Sequence, residues 1–171
     1  MYDTFKIVNE LSDVPKEVIE LYQMPFDWYG FRWFPIIKDG ITPLYYKSKY
    51  KNLDMRLVGN QLFVTNSLHK LYRGNNFEPF TYSQVCKSII LLDNLLPINV
   101  YTAKVLKLSV GTVINADPQK IVNEWLYYLG KPYYPMKNRN KIYGAKFYLT
   151  DYSIKGYDKT FEVRNHNQIK L

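Results

Sequence analysis

The chain has 171 residues, of which 47% are hydrophobic and 22% charged, and this composition excludes an intrinsically disordered protein. Its 23 Lys and Arg against 15 Asp and Glu give a net charge of +8, which is typical of proteins that bind polyanions. A single cysteine, Cys86, excludes a disulfide framework and a cysteine-based zinc cluster. Neither a secretory leader nor an apolar run of about 18 residues is found, so we expect a cytoplasmic protein without a membrane partner.

Residues 1–40 predict a short helix followed by an aromatic segment that packs on it. In LSDVPKEVIELYQ the proline and the spacing of apolar residues predict a helix over 14–23. The segment MPFDWYGFRWFP follows, and we expect Trp28, Phe31 and Trp33 in the core. If these rings were exposed instead, they would mark a partner site.

Residues 41–160 predict a sheet and helices. TPLYYKSKY, LDMRLV and QLFVTNS alternate as strands, and Gly59 with Asn60 supplies a hairpin turn. LHKLYRGNNFEPF is expected to be a loop because of its turn-forming residues. The capping-box spacing of Thr81 and Gln84 begins a strongly periodic helix over about 82–95.

The second half of the chain predicts another helix between strands. AKVLKLSVGTVINA has strand composition, and Asp117 with Pro118 caps a helix that we expect to end at Gly130. KPYYPMKNRNKIYG is predicted to be a basic, aromatic loop, AKFYLT and YSIKGYDK to be strands, and 161–171 a tail. The expected fold is one α+β domain over 1–171, an antiparallel sheet flanked by two main helices.

Positive charge and tyrosines are concentrated towards the C-terminus. From Lys131 onward there are nine basic residues against three acidic ones, and many of the 17 tyrosines alternate with Lys or Arg. Aromatic rings stack on unpaired bases while cations meet phosphates, so this pattern favours single-stranded DNA or RNA. The alternative is that Tyr and Lys merely suit half-buried strands. The candidate binding residues are Lys131, Tyr133, Tyr134, Lys137, Arg139, Lys141, Tyr143, Lys155, Tyr157, Lys159, Lys70 and Arg73.

Tyr152 and Lys155 have the Tyr-x-x-Lys spacing of enzymes that nick single-stranded DNA, so they are the catalytic candidates if the chain is an enzyme. On a strand, residues three apart point to opposite faces, so we do not expect these two to cooperate. Lys155, Tyr157 and Lys159 alternate instead, which predicts that all three face a nucleic-acid backbone.

Three stretches, SLHKLYRGNNFEPFTYSQV, LKLSVGTVIN and YGAKFYLTDYSIKGYDKT, together resemble the rolling-circle replication initiators of the filamentous-phage gene II and gene X type. The resemblance covers roughly residues 55–160. It implies an antiparallel sheet flanked by helices, a tyrosine that nicks one DNA strand and keeps it, and carboxylate or histidine ligands for a divalent metal.

The chain departs from this family at the expected metal site. Lys107, Leu108 and Ser109 stand where such initiators have Arg-Leu-Glu, and a serine hydroxyl cannot replace a carboxylate on a hard cation. FEVRNHNQIKL lacks the family's Leu-Arg-Phe-Glu, and no His-x-His pair occurs. His69 and His166 are each expected to be a polar surface or hydrogen-bonded residue. We therefore expect no metal, no cofactor and no catalysis.

These observations favour a non-catalytic binding protein of phage or mobile-element origin, derived from a replication initiator. It would act by occupying its target, which is single-stranded DNA, RNA or a nucleic-acid-containing complex. A replication origin is one such target and a host CRISPR effector is another, which would make the protein a counter-defence inhibitor. Two alternatives are the N-terminal recognition domain of an active nicking initiator, and a module that binds protein only and carries its charge for solubility.

Overall fold

The computed structural model describes residues 2–76 and 78–168, and it divides into two compact units, residues 1–112 and 113–171. We call them the first and the second unit. Both combine helices with antiparallel strands, so the expected mixture of α and β structure with a large antiparallel sheet is confirmed. That 1–171 forms one domain stays a prediction. Among the described residues, no helix has the length and apolar character needed to span a membrane.

The first unit is built on a seven-stranded sheet in the order β2-β3-β4-β5-β6-β1-β7, with every neighbouring pair antiparallel. Its strands are β1 Tyr2–Glu10, β2 Phe26–Trp28, β3 Phe31–Ile37, β4 Pro43–Tyr50, β5 Leu53–Val58, β6 Gln61–Asn66 and β7 Lys104–Val110. Strands β3 to β6 follow one another along the sheet as a meander. The N-terminal strand then lies between β6 and β7, which brings distant parts of the chain together.

Three helices belong to this unit: α1 Lys16–Ile19, α2 Leu68–Arg73 and α3 Tyr82–Leu95. Apolar residues of the helices share one core with alternate residues of the strands, among them Leu71 and Leu92 with Leu57 and Val64. The burial of strand β5 alternates strictly, with every second residue buried. One face of the sheet is therefore covered by helices, and we call the opposite face the outer face.

Several sequence predictions for this unit are confirmed. The three meander strands, the turn at Gly59 and the capping box of α3 are all present. Phe31 and Trp33 are buried in the core, with 6% and 0% of their surface exposed. The helix expected over 14–23 is shorter, and residues 1–40 contribute three strands to the sheet that were not predicted.

The stretch LHKLYRGNNFEPF was wrongly predicted to be a loop. Helix α2 forms there because Ser67 accepts a hydrogen bond from the Lys70 amide at 3.2 Å, and Gly74 ends the helix with a φ of 80°. These are ordinary N-terminal and C-terminal caps. The turn-forming Gly-Asn-Asn run marks the end of a helix. The strand predicted over AKVLKLSVGTVINA is also shorter than expected. It ends at Val110, so residues 111–116 are not part of β7.

The second unit carries a three-stranded sheet in the order β10-β11-β12. Its elements are α4 Pro118–Glu124, β8 Tyr127–Tyr128, β9 Lys131–Pro132, β10 Tyr134–Asn138, β11 Lys141–Tyr148, β12 Ser153–Tyr157 and α5 Lys159–Gln168. Helix α4 begins with the predicted Asp117 cap, whose carboxylate accepts from the Gln119 amide at 2.9 Å. It packs on β11 and β12.

Two predictions for this unit were wrong. The helix ends at Glu124 because Leu129 and Gly130, both with positive φ, form the turn of the small β8–β9 hairpin. This is the turn geometry that suits paired strands. The expected basic loop over 131–141 is mostly strand, since Tyr134–Asn138 pairs with β11. The last predicted strand ends at Tyr157, and the expected tail lies in α5 as far as residue 168.

Candidate nucleic-acid interface

The three-stranded sheet of the second unit has two faces of opposite character, set by its strand register. Ala145 pairs with Gly156, and Phe147 pairs with Ile154, so these side chains share one face. Ala145 and Phe147 are fully buried. The ring of Trp125, just after α4, lies 4.7 Å from that of Phe147. This face is the core of the unit.

The other face is open and carries alternating tyrosine and lysine side chains. Tyr134 pairs with Lys146, and Lys146 pairs with Lys155, so the three form a row across the strands. Tyr148 and Tyr157 lie on the same face, on either side of that row. Tyr134 and Tyr148 expose 55% and 51% of their surface. We call Tyr134, Lys146, Tyr148, Lys155 and Tyr157 the open face.

Cations and rings of the open face lie within interaction distance of one another. Lys146 Nζ is 4.1 Å from the centre of the Tyr148 ring, and Lys155 Nζ is 5.5 Å from that of Tyr157. The rings of Tyr134 and Tyr148 meet edge to face, with centroids 5.1 Å apart. Such cation–π contacts keep ammonium groups close to rings. A ligand reaching this face meets positive charge and aromatic surface together.

Lys146 and Lys155 form a like-charged pair across neighbouring strands. Directly opposite side chains have their Cβ atoms about 4.5–5.5 Å apart, and like charges in this position destabilise a sheet. Neither lysine forms an ion pair with any residue that the structure describes. An anionic ligand that reaches both lysines would offset this concentration of positive charge. The pair is therefore an electrostatic indication of an anion-binding surface.

Gly144 shapes the open face beside Tyr157. The two residues are directly paired on β11 and β12. A Cβ atom at position 144 would lie 2.6 Å from Tyr157 Cβ and 2.7 Å from the Gly156 carbonyl oxygen. Such distances are far below van der Waals contact, so a side chain at 144 would displace Tyr157. Glycine at this position lets the strand approach Tyr157 closely.

Four of the predicted binding residues come from the stretch 131–141 that was expected to be a loop. In the structure they lie on strands and in turns. Lys131 and Tyr133 lie in and just after β9, Lys137 lies on β10, and Arg139 lies in the turn before β11 with a φ of 51°. Lys137 pairs with Ile142 beyond a bulge, away from the row of Tyr134. These four residues do not belong to the open face.

Lys141 and Tyr143 lie against the first turns of α5. Lys141 Nζ is 4.7 Å from the centre of the Phe161 ring, and the rings of Tyr143 and Phe161 have centroids 5.3 Å apart. The Asp158 amide donates to the Tyr143 carbonyl oxygen at 2.8 Å. Tyr143 therefore packs inside the unit and is only partly available to a ligand.

The sequence predicted one strand face shared by Lys155, Tyr157 and Lys159, and the structure brings them together in another way. The strand ends at Tyr157, and Lys159 begins α5. Lys159 Nζ still lies 5.7 Å from the centre of the Tyr157 ring, while also pairing with Glu162 at 2.6 Å. Because a carboxylate already neutralises Lys159, it contributes less positive potential than Lys155.

The two catalytic candidates, Tyr152 and Lys155, lie in different elements: Lys155 is on β12 and Tyr152 is outside that strand. Tyr152 precedes β12 in a turn where its carbonyl oxygen accepts from the Leu149 amide at 2.9 Å, and its side chain is 53% exposed. Desolvation, with smaller contributions from the charge and the hydroxyl of Tyr128, raises the pKa of Tyr152 above its usual value. A raised pKa favours the neutral phenol over the nucleophilic phenolate.

The remaining predicted residues lie in the first unit or outside the described residues. Lys70 and Arg73 lie on α2, and Arg73 pairs with Glu78 at 3.1 Å. His69, expected to be a polar surface or hydrogen-bonded residue, is fully buried on α2 and stacks on Phe80 with centroids 4.5 Å apart. The side chain of His166 lies outside the described residues. In the described part of the chain, no group of three or more His, Cys, Asp or Glu is arranged to hold a metal ion.

Sequence reasoning missed two residues of the open face, Lys146 and Tyr148. Both lie in AKFYLT, a stretch correctly predicted to be a strand. Their spacing of two residues already places them on one face of that strand. What the sequence did not indicate was which face is covered by α4, because the covering Trp125 lies outside the strand.

Comparison with known proteins leaves the family of this chain open. No family model, no curated protein and no solved structure matches it. The resemblance to rolling-circle initiators therefore stays a prediction. The function proposed below rests on the residues of the open face.

Proposed function

We propose that this chain is a non-catalytic nucleic-acid-binding protein that holds unpaired DNA or RNA on the open face of its second unit. The observation that carries the proposal is the like-charged pair Lys146 and Lys155, flanked by the exposed rings of Tyr134 and Tyr148. Phosphates would contact the ammonium groups. Unpaired bases would stack on the rings.

The geometry suits single strands better than duplexes. Adjacent strands are about 4.8 Å apart, so the row Tyr134, Lys146, Lys155 spans about 10 Å. Stacking on such a row requires bases that are not already stacked in a duplex, and each stacked base contributes roughly 1–3 kcal/mol. Sequence preference would be weak, because ring stacking and phosphate contacts do not read base edges.

The wider proposal is that the chain is a shortened relative of phage or plasmid replication initiators, with an initiator-like sheet flanked by two main helices. In this view it acts by occupying a replication origin or a host ribonucleoprotein. A basic surface with exposed tyrosines would speed encounter with an RNA-filled complex and anchor the protein there. Adding the protein to purified CRISPR effectors tests the inhibitor form of the proposal. Unchanged guide loading and target cleavage would refute that form.

The direct test is a binding series by fluorescence anisotropy. Labelled single-stranded DNA, duplex DNA and structured RNA are titrated with the full chain at several salt concentrations. We expect salt-sensitive binding of the unpaired ligands, lost when Lys146 and Lys155 are changed to glutamate. A variant with glutamate at Lys87 and Lys120, exposed on α3 and α4, is the charge-matched control. Undetectable binding of every nucleic acid would refute the proposal.

The same series distinguishes the nicking alternative. Each titration is repeated with Mg²⁺ or Mn²⁺, and the products are separated on a denaturing gel. A cleaved strand or a covalent protein–DNA adduct that disappears in Tyr152→Phe would establish a tyrosine nickase. Binding without cleavage in the presence of either metal is the result we expect.

A further inference from the structure

The outer face of the seven-stranded sheet in the first unit carries a broad basic surface. Strand register places a continuous row of side chains across it. The row runs Phe34, Lys47, Arg56, Phe63, Val8 and Lys104. It crosses six strands, and the five spacings of about 4.8 Å between them give a length of about 24 Å.

A second row lies two residues further along each strand except β7, where a bulge in the pairing with β1 makes the step three residues. It consists of Lys49, Asp54, Thr65, Lys6 and Lys107. Together the two rows hold six cations and one carboxylate. All six cations except Lys6, which is half-buried, are exposed.

Two like-charged cross-strand pairs lie within these rows. Lys47 is directly opposite Arg56, and Lys6 is directly opposite Lys107. Like charges in this position destabilise a sheet. None of the four forms an ion pair with a residue in the described part of the chain. The sheet therefore concentrates positive charge here at a cost in stability, as it does at Lys146 and Lys155.

The aromatic rings at the centre of the outer face, Phe63 and Tyr45, are half-buried, whereas Tyr134 and Tyr148 of the open face are more than half exposed. Lys6 Nζ lies 5.6 Å from the centre of the Phe63 ring, and the Arg56 guanidinium lies 5.9 Å from it. The same guanidinium lies 5.2 Å from the centre of the Tyr45 ring. Half-buried rings offer less surface for base stacking than the exposed rings of the open face. The outer face therefore presents charge to its ligand with less stacking surface at its centre.

We infer that the outer face binds the phosphate backbone of double-stranded nucleic acid, without reading its sequence. A duplex shields its bases and carries one negative charge per about 1.7 Å of axis, so its density of accessible phosphate suits a long, regular row of cations. Contacts of this kind position a protein on a duplex and specify no base. The inference depends on residues of the first unit alone and would hold even if the open face bound nothing.

The test compares two pairs of substitutions in the full chain. Lys47→Gln with Arg56→Gln removes one like-charged pair of the outer face, and Lys146→Gln with Lys155→Gln removes the pair of the open face. Each variant is titrated with duplex DNA, duplex RNA and a single strand of equal length. Lys16→Gln with Lys87→Gln, exposed on α1 and α3, is the charge-matched control. Circular dichroism and a thermal melt check folding. A second outer-face variant, Lys6→Gln with Lys107→Gln, serves if the first does not fold.

We expect the outer-face variant to lose duplex affinity and to reduce the slope of log K against log salt by about 1.8, at roughly 0.9 per phosphate contact. Over a fourfold change in salt concentration, this difference in slope changes the ratio of wild-type to variant duplex affinity about twelvefold. Its single-strand affinity should stay that of the wild type, and the open-face variant should keep duplex binding. Wild-type duplex affinity and salt slope in both outer-face variants would overturn the inference. So would an equal loss for both ligand types, or complete competition by polyglutamate at equal charge concentration.

Discussion

Changing Lys146 and Lys155 to glutamine should alter the salt dependence of single-strand binding in a predictable way. For single strands, log K falls with log salt by about 0.7 per phosphate contact, so losing two contacts should reduce the slope by about 1.4. Between about 50 and 200 mM salt, the advantage of the wild type over the variant should shrink about sevenfold. The sheet itself should not be weakened, because the substitution removes a repulsive pair.

Changing the tyrosines of the open face should lower the affinity for single strands without changing its salt dependence. Tyr134→Ala and Tyr148→Ala each remove a ring that is more than half exposed. If a base stacks there, affinity should fall by roughly 1–3 kcal/mol per base while the salt slope stays constant. Tyr134→Phe keeps the ring and should bind like the wild type. Electrostatic and stacking contributions therefore separate into two independent readouts.

Anisotropy titrations at four or more salt concentrations, with a labelled oligonucleotide, supply both quantities. Lys87→Gln with Lys120→Gln removes the same charge from exposed helical positions and should leave the slope unchanged. An unchanged slope for the Lys146 and Lys155 variant would show that these lysines do not contact phosphates. Equal slope changes in that variant and in the control would show that only net charge matters. Either result refutes the proposed interface.

Two further predictions concern stability, measured by urea unfolding. Tyr46→Phe removes a buried hydroxyl that lies 2.9 Å from each of two backbone carbonyl oxygens, those of Glu17 in α1 and of Tyr22 just after it. The free energy of unfolding should fall by about 1–3 kcal/mol in this variant, and by under about 0.5 kcal/mol in the control Tyr45→Phe on the outer face. Equal losses in the two variants would contradict this role for the Tyr46 hydroxyl. Gly156→Ala would place a Cβ 2.7 Å from Trp125 Cζ3, so about 1–3 kcal/mol of stability should be lost. The control is Gly111→Ala, whose Cβ would meet nothing within 4 Å, and a Gly156→Ala protein as stable as this control would show that the ring moves freely.

Local sequence signals predicted the local parts of this structure. The meander over β4 to β6 followed from alternation with period two, and α3 from its capping box and periodic apolar residues. The hairpin turn at Gly59 followed from its dipeptide. In each case the determining contacts lie within a few residues, so the signal is contained in a short window.

Predictions failed where local preference was ambiguous. The stretch after Glu124 has apolar spacing compatible with a helix. It forms a hairpin instead, because Tyr127 and Tyr128 pair with β9 across a turn at Leu129. The N-terminal strand β1 was not predicted, and its strand partners begin about 50 and 95 residues further along the chain. Pairing between strands this far apart in sequence cannot be recognised from a short stretch of sequence.

The composition by itself determined that this protein is rich in tyrosine and lysine with an excess of positive charge, and this already directed attention to polyanions. Only the tertiary structure decided which of those side chains share a surface. Strand register set Lys146 opposite Lys155, and Lys47 opposite Arg56, while packing of Trp125 on Phe147 decided which face of the small sheet stays open. Register and packing depend on contacts between residues distant in sequence, and a slip of one residue would have exchanged the two faces.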